Sequence, residues 1–358
     1  MRRFRKLALG SALGFLFGVI LGISAKSLTQ AIPPTSKKQI RVVANEVIAA
    51  VTTTDSRGEF VLDLSQADFH VSDDGTEQVI DHWDLGGDPL AIVFVIETSS
   101  RLRALAPVIH SMGSIFTETA MALDGEASVV TYDATVAIPQ GFTQDHYLVE
   151  KAIAGVQFQA PGTNLYDAMA VAVRLLIALP PTRRRIVLIV GESEDSGSKA
   201  KLGQIVRDAE RANIAIYAVG PSSAWADLRG NNAVAPLKLP RLPPITAGPA
   251  GVDPMGRPYF DLMAPAIWLL ERGTNQIKER QLEIAAAATG GIHYRAIRDA
   301  TMRRALDKIG GELHAQYIIS YRPSSERSPG FHRLSVTVSR PGVSIRTRPG
   351  YYVIPRPD

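Results

Sequence analysis

Four short apolar runs constrain this chain more than any other feature. They are Leu90–Ile96 (LAIVFVI), Ala127–Tyr132 (ASVVTY), Ile186–Val190 (IVLIV) and Ile214–Val219 (IAIYAV), and none alternates cleanly between apolar and polar. Strands of this kind sit in parallel sheets with both faces covered. Helical patterning fills the intervals, near 104–123, 146–155, 165–179 and 200–212. Strand and helix alternate, so the expected class is α/β with a doubly wound, mostly parallel sheet. Ala134–Ile138 is expected as an edge strand. A helix from Asn275 to Ala288 with a glycine stop at Thr289-Gly290-Gly291, a strand at His293–Ala296 and a helix near 299–310 complete this body.

The flanks read differently. Between Ile40 and Leu85 there are β-branched runs, a turn at Asp55-Ser56-Arg57-Gly58, a Phe69-His70-Val71 strand, an Asp73-Asp74-Gly75 turn and a return strand near Gln78–Trp83. Asp-Gly between apolar runs is a hairpin signal. After the body, Tyr317–Tyr321, His332–Val338 and Val343–Thr347 are strand patterns. Neither flank alone has enough strands to be stable, so the two are predicted to share one small β-sandwich-like unit. The expected division is a β-rich flank at 40–87, an α/β domain at 88–311 and a second β-rich flank at 312–358. Residues 221–270 form a proline-rich insert in the domain, whose apolar tip Pro265–Leu270 folds back on its own domain or meets a partner.

Residues 1–25 have the form of an export segment: Arg2, Arg3, Arg5 and Lys6, the apolar run Leu7–Ile23, then Ser24-Ala25. The run is slightly shorter than the ~20 residues that span a bilayer comfortably. Gly10, Gly14, Gly18 and Gly22 lie four apart, which puts them on one helix face suited to close contact in a membrane. A cleaved signal peptide and a retained anchor at 7–23 are both compatible with this pattern. Either places the chain beyond its 26–39 linker outside the cytoplasm, in the periplasm or cell envelope. The same four basic residues account for the whole net charge of +4, so the rest of the chain is neutral and gives no argument for binding nucleic acid. The absence of cysteine excludes disulfides, thiolate metal sites and a cysteine nucleophile.

Three loops carry the functional reading. Glu97-Thr98-Ser99-Ser100-Arg101 follows the first buried strand, Gly162-Thr163-Asn164 precedes the helix near 165, and Gly191-Glu192-Ser193-Glu194-Asp195 follows the strand that ends at Val190. Ligands of doubly wound sheets sit beyond the carboxyl ends of the strands. Carboxylates and hydroxyls from three such loops are the hard oxygen donors that Mg²⁺ prefers.

This order resembles the von Willebrand factor A domain, whose metal-ion-dependent adhesion site uses Asp-x-Ser-x-Ser, a Thr and an Asp on successive loops. The resemblance covers about residues 88–310. The flanks resemble those of the exported VWFA-related proteins, through Ala67–Gly75 (ADFHVSDDG), Gln316-Tyr317, Tyr321, Pro323, Arg333 and Gly350-Tyr351-Tyr352. It implies metal ligation by Glu97, Ser99, Thr163 and Glu192, with Ser100, Arg101, Asn164 and Ser193 around the bound ligand.

The site departs from the family pattern. Glu97 and Glu192 stand where the family has Asp, and Arg101 where it has the second Ser. A monocation ~4 Å from a dication costs roughly 8 kcal/mol at an effective dielectric near 20. Two states are therefore compatible with the sequence: a weakly bound Mg²⁺, or no metal, with the Arg101 guanidinium bridging Glu97 and Glu192.

Catalytic patterns are missing. There is no Gly-x-Ser-x-Gly, Walker loop, His-Glu-x-x-His or Gly-x-Gly-x-x-Gly after a strand. The seven histidines show no metal-binding spacing, and Ser99 with His110 lacks an orienting third group. The expectation is a non-catalytic protein-binding or adhesion module, with Arg101 receiving an acidic side chain of its partner. An envelope scaffold that makes its contacts elsewhere is the alternative.

Overall fold

Eight consecutive residues, Leu90–Glu97, bury every side chain, and the sheet is organised around them. The computed structural model describes residues 46–86, 89–119, 121, 124–159, 161–192, 194–221, 251–252, 258–259, 281–296, 298–323 and 330–353. In chain order the strands are β1 (Val47–Thr54), β2 (Phe69–Asp73), β3 (Thr76–Gln78), β4 (His82–Leu85), β5 (Leu90–Glu97), β6 (Glu126–Tyr132), β7 (Val136–Thr143), β8 (Arg184–Val190), β9 (Ile214–Gly220), β10 (Gly251–Val252), β11 (Pro258–Tyr259), β12 (His293–Arg295), β13 (Tyr317–Tyr321), β14 (Gly330–Val338), β15 (Ser344–Arg346) and β16 (Gly350–Val353). The helices are α1 (Ala106–Thr119), α2 (His146–Ala154), α3 (Leu165–Ile177), α4 (Leu202–Arg211), α5 (Gln281–Ala288) and α6 (Asp299–Ala315).

The six-stranded sheet has the order β12-β9-β8-β5-β6-β7. All its pairings are parallel except β6 with β7, where the edge strand runs back antiparallel. Alternate side chains of β5 enter opposite layers. Ile92, Phe94 and Ile96 join a core with Ile109 and Met112 of α1 and Leu306 and Ile309 of α6. Ala91, Val93 and Val95 join one with Met169 of α3, Val206 of α4 and Leu282 of α5. The sheet is therefore doubly wound. From β5 the chain builds outward through β6 and β7, then returns to β8 and builds outward the other way. The order reverses between β5 and β8, and the crevice beyond their carboxyl ends is the ligand position of this architecture.

The two flanks build a pair of four-stranded sheets, β15-β1-β13-β4 and β16-β14-β2-β3. Their facing side chains form a third core that includes Val51, Phe69, Val71, Tyr317, Ile319, Tyr321, Leu334 and Tyr351. Phe69 and Tyr317 meet across it at a centroid distance of 5.0 Å. The α/β body leaves this unit at Leu85 and re-enters it at Tyr317, which are register partners in β4 and β13.

Several expectations shift. The 73–75 turn holds Asp74 and Gly75 at φ 52° and 83°, the left-handed pair of a tight hairpin. The return strand, however, ends at Gln78. The chain then crosses to the other sheet as β4, so the single strand expected near Gln78–Trp83 is two strands in two sheets. Helix α6 runs past the 311 boundary because Leu313 and Ala315 continue its buried apolar face and Glu312 is buried in an ion pair with Arg346. Residues 1–25, expected to be an export segment, and the Pro265–Leu270 tip lie outside the described residues. Among the described residues no helix is long and apolar enough to cross a membrane.

A buried polar joint ties the α/β body to the flank unit. Glu312 Oε1 accepts from Tyr217 Oη of β9 (2.6 Å) and from Thr52 Oγ1 of β1 (3.2 Å). Its Oε2 pairs with Arg346 of β15. Gln316 links the same hydroxyls, donating to Tyr217 Oη (3.0 Å) and Thr52 Oγ1 (3.1 Å) and accepting from Arg184 of β8 (2.5 Å). Removing one member of a buried ion pair leaves an uncompensated charge.

Two predictions follow from this architecture. Glu312→Ala should lower stability by about 3–5 kcal/mol, read as a lower urea midpoint. The second concerns His293 on the edge strand β12. Its ring nitrogens have no hydrogen-bond partner among the described residues, and burial pushes its pKa down to about 4. The unfolded chain takes up a proton near pH 6.5 that the folded chain refuses, so stability falls as the pH drops from 6.5 towards 4. The loss should be about 3 kcal/mol. His293→Phe should flatten that part of a stability-against-pH curve.

Candidate functional site

The β5 and β8 strands end level, with Ile96 opposite Val190, so the loops that follow open side by side. Glu97 is the last residue of β5 and is fully buried. One carboxylate oxygen, Oε1, accepts the Ser99 hydroxyl, and Oε2 accepts the Glu192 backbone N–H at 2.7 Å. Burial raises its pKa, and these two donors work against the rise. Both oxygens are thus engaged by the chain's own loops.

Arg101 lies above, in the short 3₁₀ turn Ser100–Leu105 that follows Ser99. Its Nη1 donates to Glu192 Oε2 at 2.7 Å and to Glu194 Oε2 at 2.5 Å. The Glu194 hydrogen bond is the main reason that its pKa is raised. The expected bridge from Glu97 to Glu192 is therefore replaced by one from Glu192 to Glu194. The physical reason is that Glu97 is buried and already holds two donors, whereas Glu194 is exposed and within reach of the guanidinium.

Thr163 is fully buried and comes from the loop before α3. Its hydroxyl lies 3.1 Å from Ser196 Oγ, and Ser196 N–H donates to Thr163 O at 2.9 Å. It does not cap the helix, which begins at Leu165. The loop after β8 caps α3 instead. Asp195 Oδ1 accepts from Tyr166 N (3.1 Å) and Ser198 Oγ accepts from Asp167 N (2.9 Å). A carboxylate here also meets the positive end of the helix dipole. Asp167 returns the bond, accepting Ala200 N at 2.8 Å just before α4.

Of the expected ligand contacts, Asn164 serves the loop. Its Nδ2 donates to Ala134 O (2.7 Å), and its N–H donates to Asp133 O (2.7 Å). Ser100 is exposed on the rim, and Ser193 lies outside the described residues. Asp133 was not singled out in the sequence. Burial works against its charge, but N–H and O–H donation by Thr135, with the Thr98 hydroxyl at 2.8 Å, holds its pKa below the usual carboxylate range. It pins the β6–β7 turn to the first loop. His110 is spent elsewhere, with Nε2 on Val156 O at 2.8 Å and its ring beside Phe158, and no hydrogen bond joins it to Ser99 among the described residues.

Under the rim lies Tyr132, the last residue of β6. Its hydroxyl is buried without a hydrogen-bond partner among the described residues, and burial followed by the Glu97 charge raises its pKa well above the usual value. Gly191 is what lets it fit. A Cβ there would fall on Tyr132 Oη and lie 2.9 Å from Glu97 Cβ and Oε2.

No protein-family model matches this chain, and no curated protein matches it. Among solved structures it is similar to an aerotolerance-related membrane protein from Bacteroides fragilis, at 12% identity and TM-score 0.40, over 63% of this chain and 98% of that one. It is also similar to the conserved hypothetical protein BatB from Bacteroides thetaiotaomicron, at 10% identity and TM-score 0.39, over 63% and 98% respectively. The three N-terminal domains of the type V pili tip protein Mfa5 from Porphyromonas gingivalis match at 14% identity and TM-score 0.27, over 42% of this chain and 27% of that one. These likenesses are distant.

Gly191→Ala should destabilise the protein by about 1–3 kcal/mol through overpacking. Tyr132→Phe removes the atom in the way, so part of that loss should return in the double variant. A double-mutant cycle by urea unfolding checks this, and strict additivity would contradict the packing described.

Proposed function

We propose that the chain is an exported, non-catalytic protein-binding module that uses the rim beyond β5 and β8, with the Arg101 guanidinium, held on Glu192 and Glu194, supplying the positive charge that the resemblance assigns to a metal ion. The observation that carries this reading is the Arg101 guanidinium held by Glu192 and Glu194. The residues present do not fit a dication. A fixed cation, Arg101, already sits on Glu192, and its charge is what turns a dication away. Export rests on the basic and apolar pattern of residues 1–25.

The same observation changes the expected partner chemistry. Arg101 is already held by two carboxylates, so an incoming acidic side chain would have to displace them. Glu192 and Glu194 together outweigh the single guanidinium, and the surface that complements this rim is basic. A partner's Lys or Arg competes with Arg101 for Glu194, the more exposed of the two acids.

The test is calorimetric titration with Mg²⁺ and Mn²⁺. The wild-type chain should take up neither at micromolar strength, whereas Arg101→Ser, which restores the family's hydroxyl and removes the charge, should gain measurable binding. Micromolar binding by the wild type that disappears in Glu192→Ala would reject the reading.

A further inference from the structure

The flank unit holds a second cluster, on strands that carry none of the rim residues. Asp73 ends β2, Asp74 begins its hairpin turn, and His332 lies on β14. One ligand atom from each falls within 4.8 Å of the other two. Asp73 and His332 are buried and Asp74 is exposed, so the cluster has two fixed members and one open to solvent. His332 Nδ1 lies 2.8 Å from Asp74 Oδ2, a hydrogen-bond separation that has to open only to about 3.3 Å for both atoms to bind one tetrahedral ion.

The surroundings hold these groups in place. Tyr351 Oη (2.7 Å) and Tyr321 Oη (3.0 Å) both donate to the same oxygen of Asp73, Oδ2. They come from β16 and β13, so the two sheets both orient this carboxylate. The His332 ring stacks on Tyr351, with centroids 5.4 Å apart and planes at 26°. Asp74 is fixed by its backbone, N–H to Arg333 O (2.9 Å), and by Oδ1, which accepts from Arg333 N (2.8 Å). Hydrogen bonds that orient the ligands are what a metal site needs beyond the ligands themselves.

We propose that Asp73, Asp74 and His332 form a divalent transition-metal site, suited to Zn²⁺. One imidazole and two carboxylates match a borderline ion better than Mg²⁺ or Ca²⁺, which prefer oxygen alone. The ion replaces the hydrogen bond between Nδ1 and Asp74: it binds Nδ1 of the neutral imidazole, whose single proton is then on Nε2, and the ionised Asp74 carboxylate. Water completes the fourth position on the Asp74 side. The metal closes the β2–β3 turn onto β14. This site is independent of the rim and of the function proposed for it.

The test is titration of the folded chain with Zn²⁺ by calorimetry, and with Co²⁺ followed by its visible absorption. One ion per chain is expected, with a rise in melting temperature on Zn²⁺ addition. Asp74→Asn, on an exposed residue, and His332→Gln should each abolish binding. Tyr351→Phe should weaken it by about 10–100-fold. His70→Ala and Glu192→Ala should leave it unchanged, which separates this site from a surface histidine and from the rim. Absence of uptake by the wild type, or uptake unaltered in Asp74→Asn, would overturn the proposal. Asp74→Asn decides the matter even where His332→Gln fails to fold.

Discussion

A carboxylate buried at the end of a strand with no solvent on either face must be met by donors from the chain itself. Glu97 is in that position, and the Ser99 hydroxyl and the Glu192 N–H answer it. The first bond folds the loop after β5 back on its own strand end, and the second fixes the first and third loops to each other. From there the rest of the rim follows: Glu192 is placed to hold Arg101, and the segment after it is placed to cap α3 through Asp195 and Ser198. A shorter Asp at 97 would not reach the same partners without moving a loop. The Glu97 side chain is thus matched in length to its own surroundings.

The joint around Glu312 has a comparable role on a larger scale. It gathers groups from β1, β8, β9, β15 and α6, with Gln316 just before β13, around one buried acid and two arginines, Arg184 and Arg346. Buried polar networks of this kind specify geometry more than they add stability, because their desolvation cost offsets much of the attraction. It fixes which edge of the flank unit faces the sheet. The apolar contacts on their own, such as Phe331 against the α4 layer, leave more latitude.

The body was legible because its strands are buried on both faces, which writes Leu90–Ile96 and Ile186–Val190 as unbroken apolar runs. The meeting of the loops after β5 and β8 was legible for the same reason, since neighbouring parallel strands end on one side. The finer arrangement was not. Arg101 has several acids in reach, and the choice of Glu194 over Glu97 depends on burial that no local pattern records. The cap on α3 comes from residues about thirty positions downstream and not from Thr163 or Asn164, and helix-start rules look only at the adjoining residues. The split of the 76–85 segment between two sheets is a tertiary event. The approach of His332 to Asp74 spans 258 positions, so a search for ligand spacing passes over it.

The register of β4 with β13 also sets an order of events during synthesis. Strands β1 to β4 emerge first, but β1 pairs with β13 and β15 and β2 pairs with β14, all encoded after residue 316. The early strands therefore wait with unsatisfied edges while the whole α/β body is made. Pairings this distant close slowly and expose sticky edges in the meantime. The intervening body, whose sheet depends on residues 90–295 alone, can collapse during that wait. In doing so it carries Leu85 and Tyr317 towards each other, so the late strands arrive beside partners already in position.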